Sequence, residues 1–571
     1  MNHRRIWQAP TMGLLLAACS FAPHYAPPPL DTGDKFKEAV GGGAGNGGWQ
    51  AAAPRDAALR GNWWEIYGDA TLNDLEERIQ VSNQTVIAAE ANYRAAQALV
   101  RQSQAALFPT LSVDPSVTRS RSSASVLSSS ISGTTTGDTT PGTGTGTGTG
   151  TSTGTSTGTS TGNSNTSAGG STAPRTIYAL PLEASYQVDL WGSIRNTVAQ
   201  NRYSAQASAA QLANALLSMQ TTLAQDYFQM RIADEERRIL DDTLADFQAN
   251  RRLVQTLFNN GLDSDEDLAQ ADTQLKTAEA QATDLGITRA TYEHAIAVLI
   301  GVPPSKFSLP YQRFNQTLPD VPVDGIPADL IERRPDIAAA ERQVAAANAA
   351  IGVARAAYFP TLTISGSAGY ESTALGQLLN WPNRFWSFGP DLAQTLFDGG
   401  ARIAATARAR AEDDAAAANY RQTVLSALQA VEDNLASLRI LAQEVDQEHE
   451  AAVAAERAVR LSVVRFRNGV DSYVNVITAQ NAFLSARQTE LQIRLRQLTA
   501  SINLINNLGG GWSRAQLSQT ESRAQNSAPV TGAMVPTEAS GQAVPNPPPL
   551  PPREIRPEDM LRQDQDALGK P

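Results

Sequence analysis

The sequence predicts a membrane protein of the α+β class, built from two tandem repeats that each combine a pair of strands with long helices. Three observations support this fold class. The segment Phe-Pro-Thr-Leu occurs twice, beginning at Phe108 and at Phe359. Each copy leads into alternating apolar and polar residues, which is the period of a β-strand. After each strand region comes a long stretch with apolar residues at helical spacing and no proline.

Other segments repeat in the same order, which divides most of the chain into two copies. YQVDLWGSIR matches AQTLFDGGAR at an offset of 207 residues, and NGLDS matches NGVDS at an offset of 208. The Phe-Pro-Thr-Leu copies are 251 residues apart, so the first copy contains an insertion. The insertion is a Ser/Thr/Gly-rich tract, too poor in apolar residues to pack a core. Its position between two candidate strands predicts an extracellular hairpin loop at 119–175; the alternative is a linker between domains.

The order of these features predicts six segments along the chain. They are a signal peptide at 1–18, a lipid-anchored N-terminal linker at 19–60, repeat one at 61–301, an inter-repeat linker at 302–326, repeat two at 327–513, and a C-terminal tail at 514–571. The tail is rich in proline, which predicts disorder.

The N terminus has the features of an export signal. His3, Arg4 and Arg5 precede the short apolar segment TMGLLLAA, which leads directly into Cys19. This segment is shorter than the about 20 apolar residues that a membrane-spanning helix needs. LAAC resembles the bacterial lipobox, whose cysteine is acylated and becomes the mature N terminus. Cys19 is therefore the predicted lipidation site, and ordinary cleavage near Ala18 is the alternative.

Each candidate strand has one apolar and one polar face. In the first copy the alternation covers 110–118 and 178–190, and in the second copy it covers 361–370 and 386–396. Strands of about ten residues with this alternation and with aromatic flanks are typical of transmembrane β-barrels. A half-buried sheet in a soluble protein is the alternative.

The helical spacing predicts one long helix at 193–259 and another at 400–468. At 1.5 Å per residue each would be roughly 100 Å long. Each is expected to end at a glycine, Gly261 or Gly469, because glycine readily adopts the left-handed conformation that stops a helix. Ser264 and Asp267 have the spacing of a capping box, which predicts the start of a return helix. The return helices run to Gly301 and 509, and the sustained spacing indicates coiled-coil packing.

Composition and motifs exclude several functional classes. The net charge of -11 provides no basic stripe for nucleic acid. The sequence contains no nucleophile with a base, no phosphate-binding loop and no metal-ligand constellation, so no enzyme, cofactor or metal site is predicted. Cys19 is the only cysteine, which excludes an intramolecular disulfide. Trp63 and Trp64 are expected to anchor the N-terminal segment to the helices.

Four strands cannot form a pore alone. No segment after the signal approaches 18 consecutive apolar residues, so a chain that crosses the membrane must use strands. An open sheet edge is not tolerated in lipid, and the chain must therefore oligomerise. Two copies would give an eight-stranded barrel filled by its own side chains, so an open bore needs three or more.

Five segments carry a resemblance to a known family: PHYAPP, NWWEIYGDATLNDL, LIERRPDIAAAERQVAAANAAIGVARAAYFPTL, FRNGVDSYVNVITAQNAF and LINNLGGGW. From about residue 19 to 513 the chain resembles the TolC-like outer-membrane efflux proteins, and within them the lipoprotein branch that serves resistance-nodulation-division (RND) pumps. The resemblance implies a homotrimer whose twelve-stranded barrel, four strands per protomer, lies in outer-membrane lipid and continues as a helical coiled-coil barrel in the periplasm.

The resemblance also implies a function and partners. The implied function is the exit duct of a tripartite efflux pump, which conducts drugs or other small toxic molecules passively out of the periplasm of a Gram-negative bacterium. The implied partners are a periplasmic adaptor protein and, through it, an inner-membrane RND pump. The alternatives are a type I protein-secretion duct and, in a different class, a structural coiled-coil lipoprotein without a pore.

Two groups of site residues follow from the resemblance. The tips that dock the adaptor correspond to Asn260, Gly261, Leu262, Asp263, Ser264, Asn468, Gly469, Val470, Asp471 and Ser472. The pore gate corresponds to Tyr473, Val474, Asn475, Thr478 and Asn481.

The gate departs from the family pattern. Relatives often have acidic residues at the positions of Asn475 and Thr478, and neither residue is acidic here. One expectation is a neutral gate, closed by hydrogen bonds and by packing from Tyr473 and Val474. A second is that acidic residues elsewhere, such as Asp471, replace the missing ones. A third is that Asn475 and Thr478 merely face a neighbouring helix.

Overall fold

Two helical hairpins of equal dimensions contain most of the residues that the structure describes. The structure is a computed structural model that describes residues 21–30, 36–40, 62–121, 174–314, 318–319 and 330–514. Cys19, most of the Ser/Thr/Gly-rich insertion and the C-terminal tail, all subjects of predictions, lie outside these residues.

The first repeat follows the predicted order of helix, strand pair, long helix and return helix. Its elements and the short helix before it are α1 (Lys37–Val40), a 3-10 helix (Trp63–Tyr67), α2 (Ala70–Ser82), α3 (Gln84–Ala105), β1 (Thr110–Val113), β2 (Ser116–Ser120), β3 (Arg175–Val188), α4 (Ser193–Asn259) and α5 (Asp265–Leu299).

The second repeat has the same order. Its elements are α6 (Leu330–Arg333), α7 (Pro335–Ala356), β4 (Thr361–Ser372), β5 (Arg384–Ala393), α8 (Ala401–Arg467) and α9 (Tyr473–Asn507). Both long helices, α4 and α8, have 67 residues, and both return helices, α5 and α9, have 35. The prediction of two repeats with long helices is confirmed.

Both long helices have the same kind of N-terminal cap, where the chain leaves the sheet. Gly192 and Gly400, in the left-handed conformation, occupy the N-cap positions. An aspartate two or three residues before each glycine accepts a hydrogen bond from an amide of the first turn: Asp189 from the amide of Arg195 at 2.9 Å and Asp398 from that of Arg402 at 3.1 Å. These carboxylates satisfy amides that have no partner within the helix and complement the positive end of its dipole.

The strands form one antiparallel sheet in the order β1-β3-β4-β5, with β2 also paired to β3. The central pair, β3 and β4, joins the two repeats. The first strand, predicted as continuous over 110–118, is interrupted. Its two parts keep one register, since Thr110 pairs with Ser185 and Ser116 with Ala179. The break falls at Pro115, which has no amide to donate to the ladder.

The register places most of the large apolar residues of the strands on one face of the sheet, as the alternation predicts; Ile177 and Phe385 are the exceptions. On that face Leu111 pairs with Ala184, Tyr186 with Ile364, and Ala368 with Trp386. The opposite face is mostly polar, and there Ser367 and Ser387 are joined by a hydrogen bond of 2.8 Å. The prediction that the last strand extends to 396 is wrong, because β5 ends at Ala393 and the following chain turns towards α8.

The largest core joins the N-terminal elements to the helical hairpins. Trp63 and Trp64, each 1% exposed, pack with Leu72 of α2, Phe228 of α4 and Ile502 of α9. The expectation that both tryptophans anchor the N-terminal segment is confirmed.

Candidate functional site

The two ends where a long helix meets its return helix form matching tips. Gly261 and Gly469 both have φ of +70°, as predicted for residues that stop a helix. At each tip the residue after the glycine donates its amide to the carbonyl five residues earlier, at 2.9 Å. Those residues, Leu262 and Val470, are 74% and 63% exposed. Each apex therefore presents one apolar side chain to the surroundings.

The first tip is acidic and capped by a serine. The Oγ of Ser264 accepts a hydrogen bond from the amide of Asp267 at 3.1 Å, as expected for an N-cap. The reciprocal half of the predicted capping box is absent, because the Asp267 carboxylate accepts from the Ser264 hydroxyl at 3.0 Å instead. The amide of Ser264 donates to Asp263 at 2.9 Å. Partial burial and the neighbouring Asp267 carboxylate raise the pKa of Asp263.

The second tip is held by an ion pair across the turn. The Nε of Arg465 lies 2.6 Å from Oδ2 of Asp471, and Oδ1 of Asp471 accepts a weaker hydrogen bond from the Asn475 amide at 3.3 Å. Arg465 therefore lowers the pKa of Asp471. Asp471, considered above as a replacement for the missing acids, has both oxygens occupied within its own chain. Ser472 caps α9 without a side-chain hydrogen bond.

Four of the five predicted gate residues are exposed on the first turns of α9. They are Val474, Asn475, Thr478 and Asn481. Thr478 lies four residues after Val474 and three after Asn475, and Asn481 follows three residues later. This spacing places the four residues along one side of the helix. The Thr478 hydroxyl donates to the carbonyl of Val474 at 2.8 Å, and the Asn481 amide donates to Gln274 of α5 at 3.4 Å. This side of α9 is uncharged.

Tyr473 lies elsewhere. It is 1% exposed and packs against Phe466 of α8, with 5.3 Å between the ring centroids. Val254 of α4, Ala271 of α5 and Val476 complete this small core, which therefore joins both hairpins just behind the tips. Burial raises the pKa of Tyr473 to about 12. The structure thus assigns Tyr473 to packing within the protomer and leaves Val474 as the exposed apolar member of the gate group.

Sequence reasoning missed the contacts that hold these residues. The ion pair between Arg465 and Asp471 was not predicted, although a cation and an anion on either side of a glycine turn are a usable signal. The partnership of Asn481 with Gln274 had no such signal, because it joins residues of different repeats.

The first described residues pack where the sheet meets the helices. The ring of Phe21 stacks on Phe359 at 4.4 Å, and Phe359 stacks on Trp191 at 4.8 Å. The Trp191 indole donates to the carbonyl of Pro360 at 2.7 Å, and Arg355 donates to the Phe21 carbonyl at 3.3 Å. This aromatic stack begins two residues after Cys19 in the sequence.

The described residues contain neither a membrane-spanning helix nor a cluster of metal-binding side chains. None of the described helices combines the length and the apolar character needed to cross a membrane. The same residues contain no group of three or more His, Cys, Asp or Glu side chains arranged to hold a metal ion.

Known proteins with similar sequences and folds include several from Gram-negative bacteria. The chain is 27% identical over 500 residues to the probable efflux pump outer membrane protein TtgC of Pseudomonas putida, covering 87% of this chain and 94% of that protein. It is 29% identical over 508 residues to the pyoverdine export outer membrane protein OpmQ of Pseudomonas aeruginosa, covering 87% and 95%. The open-state crystal structure of the MtrE outer membrane channel of Neisseria gonorrhoeae aligns with a TM-score of 0.68 at 25% identity, covering 87% and 99%.

The model of the outer membrane efflux protein family matches residues 150–302, which include β3, α4 and α5, and residues 326–510, which include all elements of the second repeat. The matched residues include both tips, the gate group and the strands that join the repeats. The chain belongs to the outer membrane efflux protein family.

Proposed function

We propose that the protein is the outer-membrane exit channel of a tripartite efflux system, which conducts small toxic molecules passively from the periplasm to the outside. The observation that carries this proposal is the two-faced sheet joined directly to long helical hairpins. On its apolar face Trp386, Phe388 and Leu392 are 77%, 72% and 64% exposed in the single chain. Such a surface suits lipid, and the polar face suits a water-filled lumen.

The open edges of the sheet support a homotrimer. β1 and β2 lie at one edge and β5 at the other, and neither edge has a partner within the described chain. Unpaired edge groups are costly in lipid, so edges of neighbouring copies must pair. Three copies give twelve strands, enough for a bore. The similarity to efflux pump outer membrane proteins and to the MtrE outer membrane channel supports a channel built from such a sheet.

The helical end is proposed as the docking and gating end. The exposed apical residues Leu262 and Val470 offer an adaptor one apolar contact per hairpin, beside acidic and basic neighbours. The uncharged side of α9 would meet its copies around the three-fold axis and close the bore through Asn475 and Thr478. An adaptor that separates the tips would break the packing around Tyr473 and open the channel, and it would link the duct to an inner-membrane pump. No catalytic role is proposed.

Cys19 is proposed as the site of lipid attachment. The stack of Phe21, Phe359 and Trp191 lies beside the first residues of β4 and the last residues of β3. A lipid on Cys19 would then enter the membrane close to the level at which the strands do. Replacement of Cys19 with Ala should abolish incorporation of labelled palmitate, and labelling that persists would refute this assignment.

The decisive test of the function uses cells that express the full chain. We expect a heat-modifiable trimer, resistant to sodium dodecyl sulfate, in the outer-membrane fraction, and we expect the adaptor and pump to co-purify with it. Deletion of the gene should increase retention of a fluorescent efflux substrate, and the wild-type gene should reverse it. A structural coiled-coil lipoprotein would give no detergent-resistant trimer and no change in retention, which would contradict the proposal.

A further inference from the structure

Two arginines lie at the loop end of the sheet, on the apolar face. The loop end is the end remote from the helices, where β2 stops at Ser120 and β5 starts at Arg384. Arg119 lies two residues beyond Val117, and Arg384 lies two residues before Trp386. Because side chains alternate with a period of two, each arginine shares the face of its apolar neighbour. Each edge of the sheet therefore carries one arginine on its lipid-facing side.

The distance between these arginines and the other end of the apolar face matches a membrane. Arg119 lies eight residues after Leu111, and Arg384 lies eight residues before Leu392. At about 3.3 Å per residue each interval is roughly 26 Å along the strand. The apolar band of membrane barrels is about 25 Å tall. Both guanidinium groups thus occupy the border of the apolar surface.

The acidic residues of the strands are confined to the face opposite Arg119 and Arg384. The carboxylates of the strands, Glu183, Glu371 and Asp391, all occupy positions on the polar face according to the register. Among the described residues neither Arg119 nor Arg384 has a carboxylate partner, and both are exposed. These two cations lie at the border of an apolar surface without counter-ions from the described protein, and both are therefore available to an anion from the surroundings.

A contact with a neighbouring aromatic ring orients the Arg384 guanidinium group for binding such an anion. Its guanidinium lies over the ring of Trp381, 3.9 Å from the centroid, and Trp381 is itself 69% exposed. Tryptophan is enriched at the membrane–water interface, where its ring meets the headgroups. The stacking fixes the plane of the guanidinium group but leaves its edge free. The N–H groups at that edge can donate two parallel hydrogen bonds to one phosphate.

We propose that Arg119, Arg384 and Trp381 form a binding site for the phosphate group of a lipid headgroup in the outer leaflet. This inference rests on the proposed function, since the ring of three copies places β2 of one copy beside β5 of the next. Each such junction then unites one arginine from each copy. The trimer would hold three sites around its outer rim.

The test measures binding of lipid A, a lipid with two phosphates, to the purified full-length trimer in detergent. Competition with unlabelled lipid gives the affinity of radiolabelled lipid A. The double variant Arg119→Gln with Arg384→Gln should bind at least about tenfold more weakly, since it loses charge-assisted hydrogen bonds. Arg384→Lys alone keeps the charge but loses the paired geometry, so it should give an intermediate loss. Arg175→Gln is the matched control, because Arg175 lies at the same end of the sheet but on the polar face.

The proposal is overturned if the double variant binds lipid A as tightly as the wild type. It is equally overturned if dephosphorylated lipid A binds as well, or if inorganic phosphate at equal concentration displaces the lipid. Every preparation is also run on a gel for the heat-modifiable trimer. A wild-type trimer that binds lipid A without using these arginines refutes only this site, whereas absence of the trimer refutes the proposed function as well.

Discussion

Glu76 is a buried carboxyl group. It lies on α2 and is 0% exposed, and neither of its oxygens has a hydrogen-bond partner among the residues that the structure describes. Burial raises the pKa of Glu76 well above its usual range. The side chain is therefore held neutral among Leu72, Leu75 and Ile79.

Substitution of Glu76 with Gln should stabilise the protein at neutral pH. The unfolded chain releases the Glu76 proton as the pH rises through about 4.3, whereas the folded chain retains it. The wild type therefore loses stability as the pH rises above that value, and the glutamine variant does not. The melting temperatures of the two proteins should be similar at pH 4 and should diverge by several degrees towards pH 8. The exposed neighbour Glu77 supplies the control, and Glu77→Gln should show no such divergence.

Substitution of Thr478 with Asp tests whether the uncharged side of α9 faces the bore. Three aspartates introduced by Thr478→Asp would lie close together around the axis, which either raises their pKa or separates the helices. We expect the variant to have altered single-channel conductance that depends on pH between 4 and 8, while the wild type is insensitive to pH. Conductance identical to the wild type at all pH values would show that Thr478 does not line the pore.

Thr273 is the matched control for this experiment. It is an exposed threonine on the return helix of the first repeat, and its hydroxyl donates to the carbonyl of Ala269 at 2.8 Å, as Thr478 does to Val474. Thr273→Asp therefore introduces the same charge and removes the same hydrogen bond. It should leave the conductance independent of pH.

At the scale of elements, the pairing of β3 with β4 is the step that joins the two repeats into one sheet. Gly369 lies in β4 opposite Pro181, where the two backbones come close. A Cβ atom on Gly369 would lie 2.3 Å from the carbonyl oxygen of Leu180. Backbone must therefore move to accept any side chain at this position.

Gly369→Ala should weaken the sheet and reduce the amount of trimer. Overpacking of this kind costs about 1–3 kcal/mol when it displaces backbone. The measurement is the fraction of heat-modifiable trimer in the outer membrane at equal expression. Gly389→Ala on β5, where a Cβ would meet nothing within 4 Å, is the control and should match the wild type. Equal trimer fractions for both variants would show that this β3–β4 contact does not limit assembly.

The elements were predictable from the sequence because their signals are local. Helical spacing without proline marked both long helices, and the glycines at 261 and 469 marked their ends. The alternation marked the strands, although it could not show that Pro115 divides one of them. The contact partners of the site residues were harder to predict from the sequence. The buried position of Tyr473 and the pairing of Asn481 with Gln274 depend on how two hairpins pack, and residue periodicity within one helix contains no information on that packing.

At the scale of the whole molecule, the distribution of charge predicts which ions the channel would prefer. On the polar face of the sheet the carboxylates Glu183, Glu371 and Asp391 outnumber the one described strand cation, Arg175. A lumen lined by excess negative charge concentrates cations. At the helical end of the chain, the ion pair between Arg465 and Asp471 restrains the second tip.

Single-channel recording in planar lipid bilayers tests the central claim, that the chain forms a gated pore, most directly. The purified wild-type trimer should give small, discrete, cation-selective current steps. Arg465→Gln should give larger steps, because it releases Asp471 and Asn475 and loosens the second tip. The absence of steps from both proteins, with the trimer shown to be inserted in the bilayer, would contradict the account.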